Sequence, residues 1–317
     1  MVHRFMSWLI ERANDKVHGG IVDFAKLVAA LNHPEHGYLT QMPSLNAHLP
    51  ERYRHGDWAA NSKAVFTWAA DMKKQLPATG IELSRDPMEP IRHILELENP
   101  LQAIKDMCQR MRGCRPTTGG AEEAVWMRDI VLVKLASGNP LRSKNLALLT
   151  YRPDNTGQLY QNPDGSWHIR IPSRAFKNFK GAARTDYNMP VGEGVWSDLE
   201  RYLKVYRQLL PDAAKHDYVF MSSVTEKQES YIGPWFTLSR RVFELTKRFL
   251  WDCPGVGIHG IRYITGTTVM KMGGTWDDAA AVLHDNPETV KAHYTHIRGC
   301  DRGERVIKIL DSTLAQM

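Results

Sequence analysis

This sequence lacks the features of a membrane-anchored or exported protein. It contains no apolar run of about 18 residues, the length that a transmembrane helix requires. Its first residues, MVHRFMSWLIERANDK, have too short an apolar core and too many charges for a signal peptide. We therefore expect neither a membrane span nor contact with a membrane.

Cysteine is scarce as well. The chain has 4 cysteines, and no two of them have the Cys-x-x-Cys spacing typical of a zinc site. Cys108, Cys114, Cys253 and Cys300 are therefore expected to be reduced thiols, as in a cytosolic protein. The sequence also lacks the dense group of acidic residues that a two-metal nuclease requires. We predict neither a metal nor another cofactor.

The length and the composition are those of an ordinary soluble protein with more than one domain. The chain has 317 residues, of which 43% are hydrophobic and 24% are charged. Its net charge of +6 and its pI near 9.1 suit a polyanionic partner, although many proteins that bind none have the same balance.

Apolar residues recur at helical spacing through residues 1–84, which predicts a helical N-terminal domain. The next stretch, RDPMEPIRHILELENP, contains prolines and charges of both signs, so we predict a linker over residues 85–98. Residues 99–317 then form the second domain. It begins with two predicted helices, at 101–111 and 122–136.

The only clear β signal lies in the middle of the chain. Alternating segments predict strands at 158–161, 166–171 and 186–191, with turns at 162–165 and 177–181. Helical patterns return after the third strand. The sequence therefore predicts a mainly α-helical protein with a small three-stranded antiparallel sheet in its second domain.

One stretch of the second domain, residues 257–297, carries most of the candidate chemistry. It reads GIHGIRYITGTTVMKMGGTWDDAAAVLHDNPETVKAHYTHI, and its turn signals divide it into three helices. The glycines at 273–274 can end the first helix. Thr275 and Asp278 form a capping box that can begin the second, and Asn286 can cap the third.

This layout closely resembles the C-terminal half of the tyrosine recombinase (phage integrase) family. His259 and Arg262 match the His-x-x-Arg that opens a helix in that family, His284 matches its later histidine, and Tyr294 matches its nucleophile. The resemblance covers about residues 99–317. The N-terminal domain matches the family's DNA-clamping domain only in its position and helical character.

The same resemblance places two further residues. Arg142 follows a helix and a small-residue turn, where the family keeps its first catalytic arginine. The family usually has an acid three positions later, whereas this chain has Asn145, which offers only a neutral hydrogen bond. Lys177 and Lys180 both fall on the turn before the third strand, where the family has a catalytic lysine. We favour Lys177, because Phe-Lys-Asn is more similar to the start of that turn.

The resemblance implies that DNA strands are cut and rejoined without metal or ATP. Two arginines would hold the non-bridging phosphate oxygens, and the tyrosine would attack phosphorus. The first histidine would be the base for the tyrosine, or at least a donor to the phosphate. The lysine would protonate the departing 5′ oxygen, and the later histidine would donate to the phosphate or support the other groups. The predicted catalytic residues are Arg142, Lys177, His259, Arg262, His284 and Tyr294.

The partners implied are double-stranded DNA, three further copies of the chain in a tetramer on paired sites, and accessory DNA-bending proteins. Such a protein would belong to a mobile element and would act in the bacterial cytoplasm, at the nucleoid. An apolar stripe in the tail, from Val306 to Leu314, would dock into a neighbouring protomer.

Three alternatives stay open. A type IB topoisomerase would use the same chemistry as a monomer. A DNA-binding regulator would keep the fold without activity, which is favoured by Asn145 and by Leu283, since Leu283 replaces the glycine that usually precedes the later histidine. A helical interaction protein would carry its basic charge by chance.

Overall fold

The computed structural model describes residues 2–13, 17–78, 86–222, 233–293 and 296–297. In the tail it also describes residues 301, 303, 306–307 and 310–311. The chain divides into two compact units, Met1–Pro87 and Met88–Met317.

The first unit is helical in its described part. Its helices are α1 (Val2–Arg12), α2 (Gly19–Leu31), α3 (Tyr38–Gln41) and α4 (Trp58–Ala78). Along α2, Ile21, Val22, Ala25 and Val28 recur at helical spacing and are buried. This stripe forms the core of the unit with Met6, Ala69 and Leu76 from α1 and α4.

Much of the predicted linker, residues 85–98, is folded. It contains a short 3-10 helix, Glu89–Ile91, and helix α5 (Arg92–Leu95). Ile91, Ile94 and Leu95 are fully buried in the core of the second unit. The prolines of this stretch limit its regular structure, but its apolar residues bury enough surface to hold it on that core.

In the rest of the second unit, the described residues form three α-helices before the sheet in the sequence and five α-helices after it. They are α6 (Leu101–Gly113), α7 (Ala121–Gly138), α8 (Ser143–Ala147), α9 (Glu193–Arg201), α10 (Leu238–Phe249), α11 (Ile258–Lys271), α12 (Trp276–Leu283) and α13 (Pro287–His293). Helix α7 has apolar residues around most of its circumference and lies in the interior. No helix in the described ranges is both long enough and apolar enough to span a membrane.

The sheet consists of β1 (Leu159–Gln161), β2 (Trp167–Ile171) and β3 (Tyr187–Pro190), antiparallel and in the order β1-β2-β3. In β2, Trp167, Ile169 and Ile171 are buried, while the residues between them are more exposed, as expected for a strand with one face on the core. The predicted fold class is thus confirmed.

The stretch at 257–297 forms three helices, α11 to α13, with the predicted signals at their ends. Gly273 has a φ of +96° just after α11. The Thr275 side chain accepts from the Asp278 backbone N–H, and the Asp278 carboxylate accepts from the Thr275 backbone N–H. The Asn286 side chain accepts from Thr289 N at 2.7 Å. Because these signals are local in sequence, they could be predicted residue by residue.

Candidate functional site

Arg142 stands at the end of the turn that joins α7 to α8, and two partners fix its guanidinium. One terminal nitrogen donates to Oδ1 of Asn178 at 2.7 Å, and the other donates to Oδ2 of Asp285 at 2.7 Å. The Arg142 side chain is 22% exposed, and the Asp285 side chain is 3% exposed. The arginine therefore joins the β2–β3 connection to the corner between α12 and α13.

Arg262 lies behind this pair, in the second turn of α11. It is 1% exposed, and its guanidinium donates to the carbonyl oxygens of Pro140 and, at 3.0 Å, of Leu283. The same guanidinium lies 3.9 Å from Oδ2 of Asp285. One carboxylate oxygen thus faces both arginines that the sequence predicted as a phosphate clamp.

A cavity of about 550 Å³ opens in front of Arg142. Its lining combines groups from the α7–α8 turn, the β2–β3 connection, α11, the α12–α13 corner and the start of α13. These residues are Arg142, Asn178, Ala182, His259, Tyr263, Asp285, Asn286 and Thr289. Of the six predicted catalytic residues, Arg142 and His259 line this cavity directly.

His259 lies in the first turn of α11, with its ring edge-on to Tyr263 at a centroid distance of 6.0 Å. Partial desolvation lowers the pKa of His259, and the positive charges of Arg262 and Arg142 lower it further. Asp285 opposes this effect. The side chain is exposed, and its lowered pKa favours the neutral imidazole.

His284 packs beside the cavity rather than in its lining. Its ring lies 4.3 Å from Phe176 and 5.4 Å from Tyr187, centroid to centroid, and it is hydrogen-bonded to the backbone of Thr185. Burial and the charge of Arg142 lower the pKa of His284. Its Nε2 is buried and has no hydrogen-bond partner among the described residues.

The backbone at His284 explains why the usual glycine is not needed before it. His284 has a φ of +50°, donates from its N–H to Ala281 O at 3.2 Å, and is followed by Asp285, whose N–H donates to Ala280 O at 3.0 Å. This is the Schellman pattern at the end of α12, in which the left-handed residue is His284 itself. Leu283 ends the helix without a positive φ, so the absent glycine does not argue against an active site.

The two candidate lysines both lie on the β2–β3 connection and are exposed. Lys177 precedes Asn178, the residue that binds Arg142. Lys180 holds its Nζ 5.7 Å from the ring centroid of Phe179. Both positions are compatible with the predicted turn, so the preference for Lys177 stays a prediction.

Tyr294 follows α13 directly in sequence and lies outside the described residues. The structure therefore brings Arg142, His259 and Arg262 together, and it places His284 and both lysines on the segments next to them. The role of Tyr294 stays a prediction.

Sequence reasoning missed Asp285 and Asn178. It considered whether Asn145 orients Arg142, but Asn145 Nδ2 instead donates to Ala175 O at 3.2 Å. The acid that binds Arg142 comes from 143 positions further along the chain. Its only local signal was its position next to His284.

Among the described residues, side chains that could bind a metal ion lie together away from the cavity. In the first unit, His33, Glu35 and His36 each have a ligand atom within 4.8 Å of the others, on the exposed turn after α2. Around the cavity, the described residues include no such group of three. The lining offers the guanidinium of Arg142 instead, and a guanidinium binds an anion.

Comparisons with known proteins give distant structural similarities only. No family profile matches the chain, and no curated protein sequence matches it. The XerA recombinase structure aligns with 97% of this chain and 98% of its own, at 14% identity and a TM-score of 0.45. A XerH site-specific recombinase bound to difH substrate aligns with 83% of this chain and 69% of its own, at 15% identity and 0.46. The Tn1549 transposon integrase with transposon right end DNA aligns with 97% and 98%, at 14% identity and 0.46. Similarity at this level does not assign the chain to a family.

Proposed function

We propose that this protein cuts and rejoins double-stranded DNA at a specific site, through a covalent bond between Tyr294 and a 3′ phosphate. The observation that supports this most is the meeting of Arg142 and His259 at one cavity, with Arg262 behind them. Two guanidinium charges and one carboxylate charge leave an excess of positive charge there. A phosphodiester carries one negative charge and suits that excess.

The proposed reaction needs no external energy source. The Tyr294 hydroxyl oxygen bonds to phosphorus and gives its proton to His259, whose lowered pKa keeps it neutral and able to accept. The bond from phosphorus to the 5′ oxygen breaks, and Lys177 protonates that oxygen. The products are a 3′-phosphotyrosine and a 5′ hydroxyl. Attack by a 5′ hydroxyl on the phosphotyrosine reverses these steps and rejoins a strand.

Arg142 has hydrogen-bond capacity left for a phosphate. A guanidinium carries five N–H donors, and Asn178 and Asp285 accept from two of its nitrogens at 2.7 Å. The remaining donors can face the cavity. Because both partners hold the plane of the fork, little reorganisation would be needed when charge develops on the phosphate oxygens.

A covalent-trapping assay tests the proposal. The substrate is duplex DNA from the flanks of the gene, nicked so that the released fragment diffuses away, in EDTA and without ATP. The wild type should form a denaturation-resistant adduct and Tyr294→Phe should form none. Tyr160→Phe, at a half-buried site on β1 outside the cavity lining, is the control and should react normally. Tyr263→Phe tests the tyrosine that lines the cavity. An adduct that persists in Tyr294→Phe would overturn the assignment.

One observation favours a second candidate, a DNA-binding regulator without strand-cutting activity. Arg262 is 1% exposed and donates to two backbone carbonyls, so its guanidinium has a structural role in the interior. If that role is its only one, Arg142 is the single arginine left to hold the phosphate oxygens. Tight, salt-dependent DNA binding by a wild type that never forms an adduct would support this candidate.

The assembly proposed is a tetramer on two paired DNA sites, since each tyrosine cuts one strand and two duplexes have four strands. Accessory DNA-bending proteins would help to pair the sites in the bacterial nucleoid. A type IB topoisomerase would differ in solution, because monomers would relax a supercoiled plasmid that contains no target site. Relaxation under those conditions would replace recombination as the proposed activity.

A further inference from the structure

The ion pair between Arg142 and Asp285 is held at both ends. Oδ2 of Asp285 accepts from Arg142 at 2.7 Å, while Oδ1 accepts from the backbone N–H of Asn286 at 3.2 Å. The side chain is 3% exposed. A carboxylate with both oxygens bonded and little access to water is a fixed partner rather than a surface ion pair.

The backbone that carries Asp285 is fixed as well. The Schellman bonds from His284 and Asp285 close the end of α12, and the Asn286 side chain caps α13 from the other side. The acid therefore sits on a rigid corner between two helices. Asp285 cannot shift along with small movements of Arg142, so the position of the corner determines where the guanidinium points.

Asn178 completes the arrangement on the opposite side of the fork. It belongs to the β2–β3 connection and accepts from the other terminal nitrogen of Arg142 at 2.7 Å. Two acceptors on separate segments define the plane of a guanidinium, which one acceptor does not. Asn145, three residues after Arg142, donates to Ala175 O and does not help to orient the Arg142 guanidinium.

We propose that Asp285, with Asn178, is the positioning residue for Arg142: it fixes the guanidinium so that its free N–H groups face the phosphate. The inference rests on the proposed function, because it assigns the cavity to a phosphodiester. Asp285 touches neither the substrate nor the reacting atoms in this proposal. Oδ2 of Asp285 also lies 3.9 Å from the guanidinium of Arg262, but the proposed positioning role is exerted on Arg142, and a double-mutant test can separate the two.

The first experiment measures DNA binding and adduct formation by Asp285→Asn, which keeps the shape and removes the charge. Asp277→Asn, an exposed residue on α12, is the matched control. Asp285→Asn should bind DNA as tightly as wild type or more tightly, because a negative charge is lost. Its rate of adduct formation at saturating DNA should fall by about tenfold or more, since the lost interaction serves the transition state. Loss of binding and of thermal stability, in step with activity, would mark a merely structural role and overturn the proposal.

The second experiment combines this change with Arg142→Lys and uses DNA with a 5′-sulfur leaving group, so that slow variants stay measurable. If Asp285 acts through Arg142, Asp285→Asn should slow the Arg142→Lys protein by less than about threefold. A full tenfold loss in that background would show that Asp285 acts independently, and the proposal would fall.

A third readout does not depend on activity. In NMR spectra of protein labelled with ¹⁵N-arginine, the held Arg142 should give separate Nη signals, identified by their absence in Arg142→Lys. Asp285→Asn should average these signals, whereas Asp277→Asn should not. If they stay separate in Asp285→Asn, the positioning role is wrong whether or not the protein cuts DNA. If they are averaged and the wild type forms no adduct, the positioning role stands and the proposed function fails.

Discussion

The imidazole of His284 packs on the ring of Phe176, with 4.3 Å between the ring centroids. Phe176 precedes Lys177 on the β2–β3 connection, and His284 precedes Asp285 at the α12–α13 corner. The hydrogen bonds of Arg142 join the same two segments a second time. We therefore expect a change in either segment to alter the placement of groups on the other.

The left-handed backbone of His284 gives a prediction about stability. At a φ of +50°, a residue with a Cβ is strained and glycine is not. His284→Gly and His284→Ala both lose the ring, but only the alanine variant keeps the strain. The glycine variant should be the more stable of the two by roughly 1 kcal/mol, although it should be no more active. Thermal or urea unfolding of both variants measures the difference.

The control for this comparison is one substitution in the middle of a helix. Ala279→Gly in α12, at a buried position with a normal helical backbone, should be destabilising relative to alanine. If His284→Ala is as stable as His284→Gly, residue 284 does not have the left-handed backbone conformation.

A second prediction concerns the general acid. Lys177→Ala should slow the cleavage of normal DNA, because the 5′ oxygen then leaves without a proton. A sulfur leaving group at the 5′ position should restore the rate, since a thiolate leaves unprotonated. Lys180→Ala is the matched control, since it lies three residues along the same connection and is exposed as well. Rescue of Lys180→Ala but not of Lys177→Ala would reverse our assignment.

The parts of this site that could be predicted are those specified by neighbouring residues. The capping box of Thr275 and Asp278, and the cap by Asn286, each depend on contacts three residues apart, so the corner helices were predictable. The sheet was predictable from its alternating residues and turns. These signals place His284 at the end of α12 without any knowledge of the tertiary fold.

The parts that could not be predicted depend on contacts across the fold. The bond between Arg142 and Asp285 spans 143 positions, and nothing near either residue indicates it. The resemblance to the recombinase family drew attention to Asn145 instead, which stands where that family usually has an acid, three positions after Arg142. Ile94 and Leu95 were assigned to a linker because prolines surround them, whereas burial against the second unit decides their structure.

A third prediction follows from the lowered pKa of His259. Unfolding returns this histidine to its ordinary value near 6.5. Between the lower folded-state pKa and that value, the unfolded chain binds more protons than the folded chain. Stability should therefore rise with pH across this window and be lost as the pH falls through it. His259→Gln removes this contribution, so it should lose less stability than wild type between about pH 7 and about pH 5.

His55→Gln is the control for that measurement, since His55 is exposed in the first unit. Urea unfolding at each pH, for all three proteins, gives the comparison. An identical pH dependence in wild type and His259→Gln would contradict the prediction. The rate of adduct formation by wild type at saturating DNA should also fall at acid pH, because a protonated His259 cannot accept the phenolic proton.

A fourth prediction separates the charge of Arg142 from its shape. Arg142→Lys keeps the positive charge but cannot bond Asn178 and Asp285 with one planar group. DNA affinity should change by less than about threefold, whereas adduct formation should fall by about a hundredfold. Arg152→Lys, in an exposed ion pair with Asp217, is the matched control and should have little effect. Equal losses for both variants would show that only net charge matters.

The last prediction concerns the tail. Val306, Ile307 and Leu310 are 52%, 54% and 49% exposed, so a large part of this apolar stripe is not covered by its own unit. Leu314, the fourth member, lies outside the described residues.

If the stripe docks into a neighbouring protomer, the contact is heterologous and can close a ring of four. Deletion of residues 302–317 should then leave binding to a single DNA site nearly intact, while higher-order complexes and strand exchange are lost. Replacing Val306, Ile307 and Leu310 with serine should reproduce the deletion without shortening the chain. Gel-shift and recombination assays on paired sites measure both effects, and a truncated protein that recombines at the normal rate would show that the tail packs on its own domain.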